Sequence, residues 1–308
     1  MFFHTRCHIM SAVDIAVRSF RELALEDLKI MWAIELQMKN YEYIPTDAIQ
    51  NETNLPVSEI DYRLPRLVKK GLLLNRRLKY SGYSLTTSGH DTLAIDALVK
   101  ADIIKAFGKP LGVGKESDVY DALTPDGKQV ALKFHRVGRI SFKKTKLKRN
   151  YIIKYSYTPD WSHQSRIAAR KEYIALKLLY LKGVLVPEPI KLNRHVIVMS
   201  MIQGAELYHF PKLSDPETVL NEIIENVKKA YNQANMIHGD LSPYNIILQP
   251  NTHVLIIDWP QNVPTKHPNA KELLERDIQN VLKFFKRKYG VNMQAKDALI
   301  YVLEDFKN

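Results

Sequence analysis

The apolar positions near the start of the chain recur at helical spacing. Between Ala24 and Met38, Leu25, Leu28, Met31, Trp32 and Leu36 predict a helix. A second helix opens within Pro45 to Asn51, and a third is expected over Ser58 to Lys70, with Ser58 as its N-cap and Gly71 closing it. Past Gly71 the pattern changes. Leu72-Leu73-Leu74 and Tyr83-Ser84-Leu85-Thr86 read as strands joined across a basic loop from Asn75 to Gly82 that holds Arg76, Arg77 and Lys79. Three helices followed by a basic hairpin make a winged helix-turn-helix over residues 1–90. In such a module the third helix enters a groove and the hairpin meets backbone phosphate. Arg63, Arg66 and Lys69 on the helix, with Arg76 and Arg77 on the hairpin, are therefore candidate nucleic-acid contacts.

Farther along, short β-branched runs carry the pattern. Ile246-Ile247-Leu248 and Val254-Leu255-Ile256-Ile257 flank the turn residues Gln249-Pro250-Asn251-Thr252, so the pair predicts a β-hairpin. Asn245 leads into it and Asp258 leads out. If Leu248 pairs near Leu255, Asn245 and Asp258 stand opposite each other, with Cβ atoms roughly 5 Å apart. Two oxygen donors at that spacing suit one hard cation, which takes such ligands at about 2.1 Å. Just upstream lies His238-Gly239-Asp240-Leu241-Ser242-Pro243-Tyr244-Asn245. Its Asp-x-x-x-x-Asn spacing matches the catalytic loop of kinases, in which the Asp meets the attacking hydroxyl and the Asn holds magnesium.

Such a centre needs a nucleotide site. Leu111-Gly112-Val113-Gly114-Lys115-Glu116-Ser117 lies between strand-like segments as a phosphate-covering loop does, with Ser117 at the third glycine position. Val130-Ala131-Leu132-Lys133 has the form of the kinase strand whose Lys pairs with the α- and β-phosphates, and Glu172 is its expected helix partner. Val196 to Met199 reads as the strand running into a hinge. Met199 would guard the base pocket, and backbone groups of Ser200 and Ile202 would meet the adenine edge.

Together these motifs resemble the RIO family of atypical protein kinases, in particular the subfamily that carries an N-terminal winged helix. They are Gly-Val-Gly-Lys-Glu-Ser-Asp-Val-Tyr at 112–120, His-Gly-Asp-Leu-Ser-Pro-Tyr-Asn at 238–245 and Ile-Asp-Trp-Pro-Gln at 257–261. The resemblance spans about residues 10 to 290. It implies an α+β chain, with the winged helix-turn-helix followed by a reduced two-lobed kinase-like domain over 91–308. The N-lobe would reach 199, the hinge 204 and the C-lobe the end. It also implies Asp240 as catalytic base, Asn245 and Asp258 as metal ligands, and phosphate contacts from Lys115 and Ser117. ATP and Mg2+, or Mn2+ in its place, are the implied cofactors. Asp258 would itself accept the γ-phosphoryl group as an aspartyl-phosphate. The implied setting is maturation of the small ribosomal subunit in the cytoplasm, on pre-ribosomal RNA or ribonucleoprotein.

Composition changes this picture in two places. The formal charge is +12, which points to a polyanionic partner besides ATP. Much of it gathers between Lys133 and Glu172, where Lys143, Lys144 and Lys146 lie in a stretch with no acidic residue from Gly127 through Pro159 and with Tyr151, Tyr155 and Tyr157 interleaved, a composition suited to RNA. A single cysteine, Cys7, excludes an internal disulfide framework. No apolar run is long enough for a membrane span. After Asp258 no Ala-Pro-Glu signature follows, and His-Gly-Asp replaces His-Arg-Asp, so an activation-loop phosphate switch is not expected. Aminoglycoside and choline phosphotransferases share the catalytic segment, but not the winged helix or the Gly-Lys-Glu-Ser-Asp loop. A nucleic-acid-binding factor with a silent kinase fold is the other alternative.

Overall fold

A computed structural model describes residues 11–77, 81–114, 116–137, 161–251 and 253–304. The chain divides into two compact units, Met1–Phe107 with Thr124–Asp126, and Gly108–Leu123 with Gly127–Asn308.

The first unit contains α1 (Ala12–Phe20), α2 (Leu25–Gln37), α3 (Thr46–Thr53), α4 (Val57–Lys69) and α5 (Thr87–Lys100), with strands β1 (Ile44–Pro45), β2 (Leu73–Arg77) and β3 (Ser81–Leu85). The strands form an antiparallel sheet in the order β1-β3-β2, with Leu73 opposite Leu85 and Ile44 opposite Tyr83. Helix α1 starts on a capping box in which Ser11 Oγ accepts the Asp14 N–H and the Asp14 carboxylate accepts the Ser11 N–H, each at 3.0 Å.

Two expectations are corrected here, while the predicted α2 forms with Leu25, Trp32 and Leu36 exposed and Leu28, Ile30, Met31, Ala33 and Ile34 on its buried face. Ser58 does not cap α4; the helix begins at Val57 behind Pro56, which fixes the backbone and offers no side-chain cap. The unit also continues past residue 90. Thr86 Oγ1 accepts the Gly89 N–H at 3.0 Å to start α5, and Leu93 joins Ile30, Ile44, Leu67 and Leu72 in the unit's core. A helix sharing that core cannot belong to the next domain.

In the second unit β4 (Ala106–Val113), β5 (Ser117–Leu123), β6 (Gln129–His135), β7 (Pro189–Asn193) and β8 (Val196–Ser200) form a five-stranded sheet in the order β4-β5-β6-β8-β7. Helix α6 (Trp161–Leu181) lies against it, with Ala169 packed among Ala131, Ile197 and Met199. Small residues on both sides let helix and sheet approach closely.

Below the sheet come β9 (Ala205–Glu206), a 3-10 turn at Leu207–His209, α7 (Pro216–Ala234), β10 (Met236–Ile237), β11 (Ile246–Leu248), β12 (Val254–Ile256), β13 (Val263–Pro264), α8 (Ala270–Tyr289) and α9 (Ala295–Leu303). The apolar stripe Leu274, Ile278, Val281, Leu282 and Phe285 of α8 is buried as its spacing predicts, with Leu273 partly buried at its edge. Side chains such as Ile246 and Phe285, both fully buried, each contribute about 1.5–3 kcal/mol.

Candidate active site

Lys133 sits in the central strand β6, paired with Val119 of β5 and Ile197 of β8, where β-branched and aromatic neighbours keep the backbone extended. Its ammonium donates to both oxygens of Glu172 on α6, at 2.7 and 2.9 Å, and to Asp258 Oδ1 at 2.7 Å. Lys133 and Glu172 are buried, whereas the Asp258 side chain is 44 % exposed. Burial alone would lower the Lys133 pKa, but the attraction of Asp258 and Glu172 outweighs it and the group is held above its ordinary range. Burial likewise opposes ionisation of Glu172, and the charge of Lys133, with His135 beside the carboxylate, overrides it, so this carboxylate is held below its usual range. Both groups are therefore charged at neutral pH.

Two partners of Glu172 escape a reading of the sequence by motif. His135 Nε2 lies 3.0 Å from Glu172 Oε2, and the Trp259 N–H donates to Glu172 Oε1 at 3.1 Å. His135 stands two residues beyond Lys133 in the same strand, hence on the same face, and that spacing is a signal. Trp259 follows Asp258, so Glu172 fixes the chain on both sides of the Asp258 carboxylate, through Lys133 and through Trp259.

The predicted hairpin forms, with its register shifted by one. Ile247 faces Leu255, Leu248 faces Val254, and the Ile257 N–H donates to the Asn245 carbonyl at 2.9 Å. Ile257, not Asp258, is opposite Asn245. Asp258 leaves the strand in the left-handed region at φ +68°, which a non-glycine residue adopts only when its surroundings hold it there. The Lys133 contact and the anchored Trp259 amide are those surroundings.

The catalytic-type loop is held from two sides. His238 Nδ1 accepts the Asp240 N–H at 3.3 Å, and its Nε2 lies 3.0 Å from the Ile257 carbonyl, a pattern that suits an imidazole protonated on Nε2. From α8, Asp277 accepts the Gly239 N–H at 2.7 Å and the Leu241 N–H at 3.0 Å, so both neighbours of Asp240 are fixed by one buried carboxylate. Burial pushes the Asp277 pKa up, against the opposing effects of His238 and the two amides. Asp277 lies in the inward stripe of α8 between Leu274 and Ile278, and an acid at such a position is the one sequence signal it leaves. Gly239 has φ +78°, and a Cβ there would stand 2.9 Å from the Gln261 carbonyl oxygen, so only glycine fits. The Asp240 side chain is exposed. Asn245 Nδ2 donates to the Asp240 carbonyl at 2.8 Å, which uses the nitrogen end of the amide and leaves the oxygen end for a cation.

That donor set fits magnesium. Among the described residues no group of three or more His, Cys, Asp or Glu could hold a metal by itself. A carboxylate and an amide oxygen sharing the ion with nucleotide phosphates is the usual arrangement for Mg2+, which is seldom caged by protein alone.

The phosphate loop closes on itself where the Gly114 N–H donates to the Ser117 carbonyl at 2.8 Å, and the Arg136 N–H donates to the Glu116 carbonyl at 2.7 Å. Beneath it Arg136 Nε and Asp118 Oδ2 form a buried ion pair at 2.9 Å, which ties the base of the loop to the end of β6. Gly112 is exposed with open space around it, while Lys115 lies outside the described residues. Met199 is buried on β8 opposite Ala131. The Ser200 N–H donates to the Glu188 carbonyl at 2.9 Å, so that donor is not free for a base. Any adenine contact from Ser200 falls to its carbonyl, with Ile202 two residues on.

A family model described as "RIO domain" matches residues 118–298, and one described as "Rio2, N-terminal" matches residues 20–101. The chain belongs to the RIO family. It is 43% identical over 262 residues to the RIO-type serine/threonine-protein kinase Rio2 of Methanocaldococcus jannaschii, covering 83% of this chain and 94% of the relative. It is 36% identical to the serine/threonine-protein kinase rio2 of Dictyostelium discoideum, covering 89% of this chain and 52% of that protein, so it spans about half the latter's length. Among solved structures, the Rio2 kinase-ADP/Mg2+-phosphoaspartate complex from Chaetomium thermophilum matches with a TM-score of 0.80 and 33% identity, covering 94% of this chain and 89% of that one.

The candidate nucleic-acid residues of this RIO chain do not behave alike. Arg63 is consumed internally, with Nη1 on Asp27 at 3.0 Å, Nε on Glu59 at 2.8 Å and Nη2 on Glu26 at 3.5 Å, and its side chain is only 13 % exposed. It ties α4 to α2 and is unsuited to a groove contact. Arg66 instead lies on the exposed Tyr62 ring, 4.7 Å from its centroid, and Arg76 lies over Tyr43 at 5.5 Å. Arg76 and Arg77 are exposed on β2, and Lys69 is in the last turn of α4. Lys143, Lys144 and Lys146 lie outside the described residues.

Proposed function

We propose that this protein is an ATP- and Mg2+-dependent phosphotransferase of the serine/threonine kinase type with ATPase activity, working on a small-subunit ribonucleoprotein. The observation that carries this reading is the convergence of Glu172, Lys133 and Asp258 within 2.9 Å contacts, beside the Asn245–Asp240 link. Bound magnesium would neutralise phosphate charge. Lys133, charged and held by Glu172, orients the α- and β-phosphates. Asn245 and Asp258 supply oxygen ligands, and Asp240 receives the proton of an attacking hydroxyl or water.

The Chaetomium thermophilum relative was solved with a phosphoaspartate, and Asp258 is the corresponding acceptor we assign here. A carboxylate oxygen of Asp258 attacks the γ-phosphorus, the bond to the β,γ-bridging oxygen breaks, and ADP leaves. Water then attacks the phosphorus, the bond to the Asp258 oxygen breaks, and inorganic phosphate leaves with Asp258 regenerated. The left-handed backbone at Asp258 and its exposed side chain support this role. The winged helix and the basic stretch support a ribonucleoprotein target, and the cytoplasm is the compartment we assign to it. No helix among the described residues is long and apolar enough to cross a membrane.

The test is incubation with Mg2+ and ATP labelled on the γ-phosphate. Protein-bound label that hydroxylamine removes, and that Asp258→Asn abolishes, is the expected result. Label confined to Ser or Thr would place the chemistry on an ordinary phosphoacceptor, and no turnover at all would favour a silent fold.

A further inference from the structure

Phosphoryl transfer leaves one exposed aromatic of the catalytic loop unused. Tyr244, immediately before Asn245, is 49% exposed and stacks on Tyr208, itself 40% exposed, with ring centroids 4.3 Å apart and planes 27° from parallel. The pair is fixed from behind. The Tyr208 N–H donates to the Pro243 carbonyl at 3.3 Å, and the Lys288 ammonium donates to the Tyr208 carbonyl. Lys288 Nζ also lies 5.3 Å from the Tyr208 centroid and 5.2 Å from that of Phe284. It ends a basic run, Lys286-Arg287-Lys288, in the last turn of α8.

Single exposed tyrosines are ordinary. Two that are stacked, immobilised and flanked by cations present a preformed flat π surface with positive charge at its edge. That combination suits an unpaired nucleobase and its phosphate, since every base offers a π face and basic groups meet the backbone. A peptide needs pockets and backbone partners, and the pair presents a flat ring face.

We propose that Tyr208, Tyr244 and Lys288 form a platform on which one unpaired base of a single-stranded polynucleotide stacks, at the rim of the active site. This rests on the ribonucleoprotein reading above and gives it a contact point. Tyr244 is covalently continuous with Asn245, whose side chain holds the Asp240 carbonyl, so an occupied platform bears directly on the catalytic loop.

The experiment is titration of the full chain, without ATP, with labelled oligouridylate and oligodeoxythymidylate at several salt concentrations. Tyr208→Leu and Tyr244→Leu should each weaken binding by about 5- to 100-fold, while Tyr208→Phe, which keeps the ring, should stay within about twofold of the parent. Lys288→Gln should reduce the salt slope by about one. The tighter of the two strands identifies the natural source as RNA or DNA. Ultraviolet cross-linking of the unaltered protein guards against a variant that merely misfolds, and it should mark the peptide holding Tyr208 or Tyr244. Leucine variants that are folded and bind normally, equal losses in Tyr208→Phe, or cross-links only elsewhere would overturn the platform. So would normal oligonucleotide binding combined with slower phosphorylation of a polypeptide, which would make the pair a peptide ledge. ATP turnover measured separately without nucleic acid keeps failure of the platform distinct from failure of the kinase reading.

Discussion

Lys133 Nζ stands 2.7 Å from Asp258 Oδ1 while it holds both oxygens of Glu172. One ammonium thus joins the sheet, the helix and the chain leaving β12. Lys133→Met should lower turnover by about 10²- to 10³-fold, the scale for losing a preorganised charge at the reacting phosphates. It should also cost about 3–5 kcal/mol of stability, because Glu172 stays buried without its main cation. Adding Glu172→Gln removes the stranded charge. Chemical denaturation should show recovery of much of the stability in the double variant, with no recovery of ATP turnover. Equal stability of single and double variants would mean that His135 alone satisfies Glu172.

The same pair sets a pH window. The folded Glu172 pKa is lowered, so its contribution is complete above the ordinary value of about 4.3 and is lost as pH falls through the lower folded value. The folded Lys133 pKa is raised, so its contribution is complete below about 10.4 and is lost as pH rises through the folded value. The stability difference between the parent and the Lys133→Met/Glu172→Gln double variant should be flat from about pH 5 to about pH 10 and change in the acid below about pH 4. Urea denaturation of both proteins across that range reads it. A slope centred near neutral pH would overturn the assignment of the dependence to this pair.

Local pattern carried Lys133, Asp240, Asn245, Asp258 and the hairpin of β11 and β12, because strand periodicity and turn residues are nearest-neighbour properties. The register was one residue off. Alternation cannot say whether the residue past a strand end continues the strand or flips to φ +68°, and at Asp258 contacts from Lys133 and Trp259 decide. Asp277 lies 37 residues beyond Asp240, on a helix whose packing alone brings it under the loop. Arg63 looked free for nucleic acid because its partners Asp27 and Glu26 are on another helix. Exposure of Trp32 was equally hidden, since α2 has apolar residues on two faces and spacing alone does not choose between them.

Asp277 should act as a positioning residue. Its two oxygens take the amides on either side of Asp240. In Asp277→Asn one oxygen becomes an NH₂ that faces an N–H donor, so the loop must shift. A displacement near 1 Å costs about 10²-fold in rate. The expected outcome is a fall in kcat of about that size with nucleotide affinity nearly unchanged, read by steady-state turnover and by separate nucleotide binding. A parallel loss of nucleotide affinity would point to general unfolding of the site.

The end of the hinge is fastened to the catalytic hairpin. Gly204 has φ +139°, and a Cβ there would collide with the Leu248 carbonyl oxygen, while Ala205 and Glu206 pair with Leu248 and Ile247. Gly204→Ala should therefore destabilise by about 1–3 kcal/mol. Because the hinge must move away from β11, ATP affinity should fall as well. Thermal unfolding with and without nucleotide measures both. An alanine variant as stable as the parent would mean that β9 detaches from β11 without cost.

Within the winged helix, Arg63 and the pair Arg76 and Arg77 should separate stability from binding. Arg63 is enclosed by Asp27, Glu59 and Glu26, and burial, which would lower its pKa, is outweighed by the hydrogen bonds it donates to Asp27 and Glu59. Arg63→Ala removes a bridge between α2 and α4 and leaves the buried Asp27 without its cation, a loss of about 1–3 kcal/mol. Below its melting temperature this variant should bind nucleic acid like the parent. Arg76→Ala and Arg77→Ala remove exposed charges from β2, so they should leave melting nearly unchanged, weaken binding, and each reduce the salt slope by about one. Melting curves and salt-dependent titrations on the same three variants decide the matter. Weaker binding by folded Arg63→Ala with an altered salt slope would return that arginine to the interface.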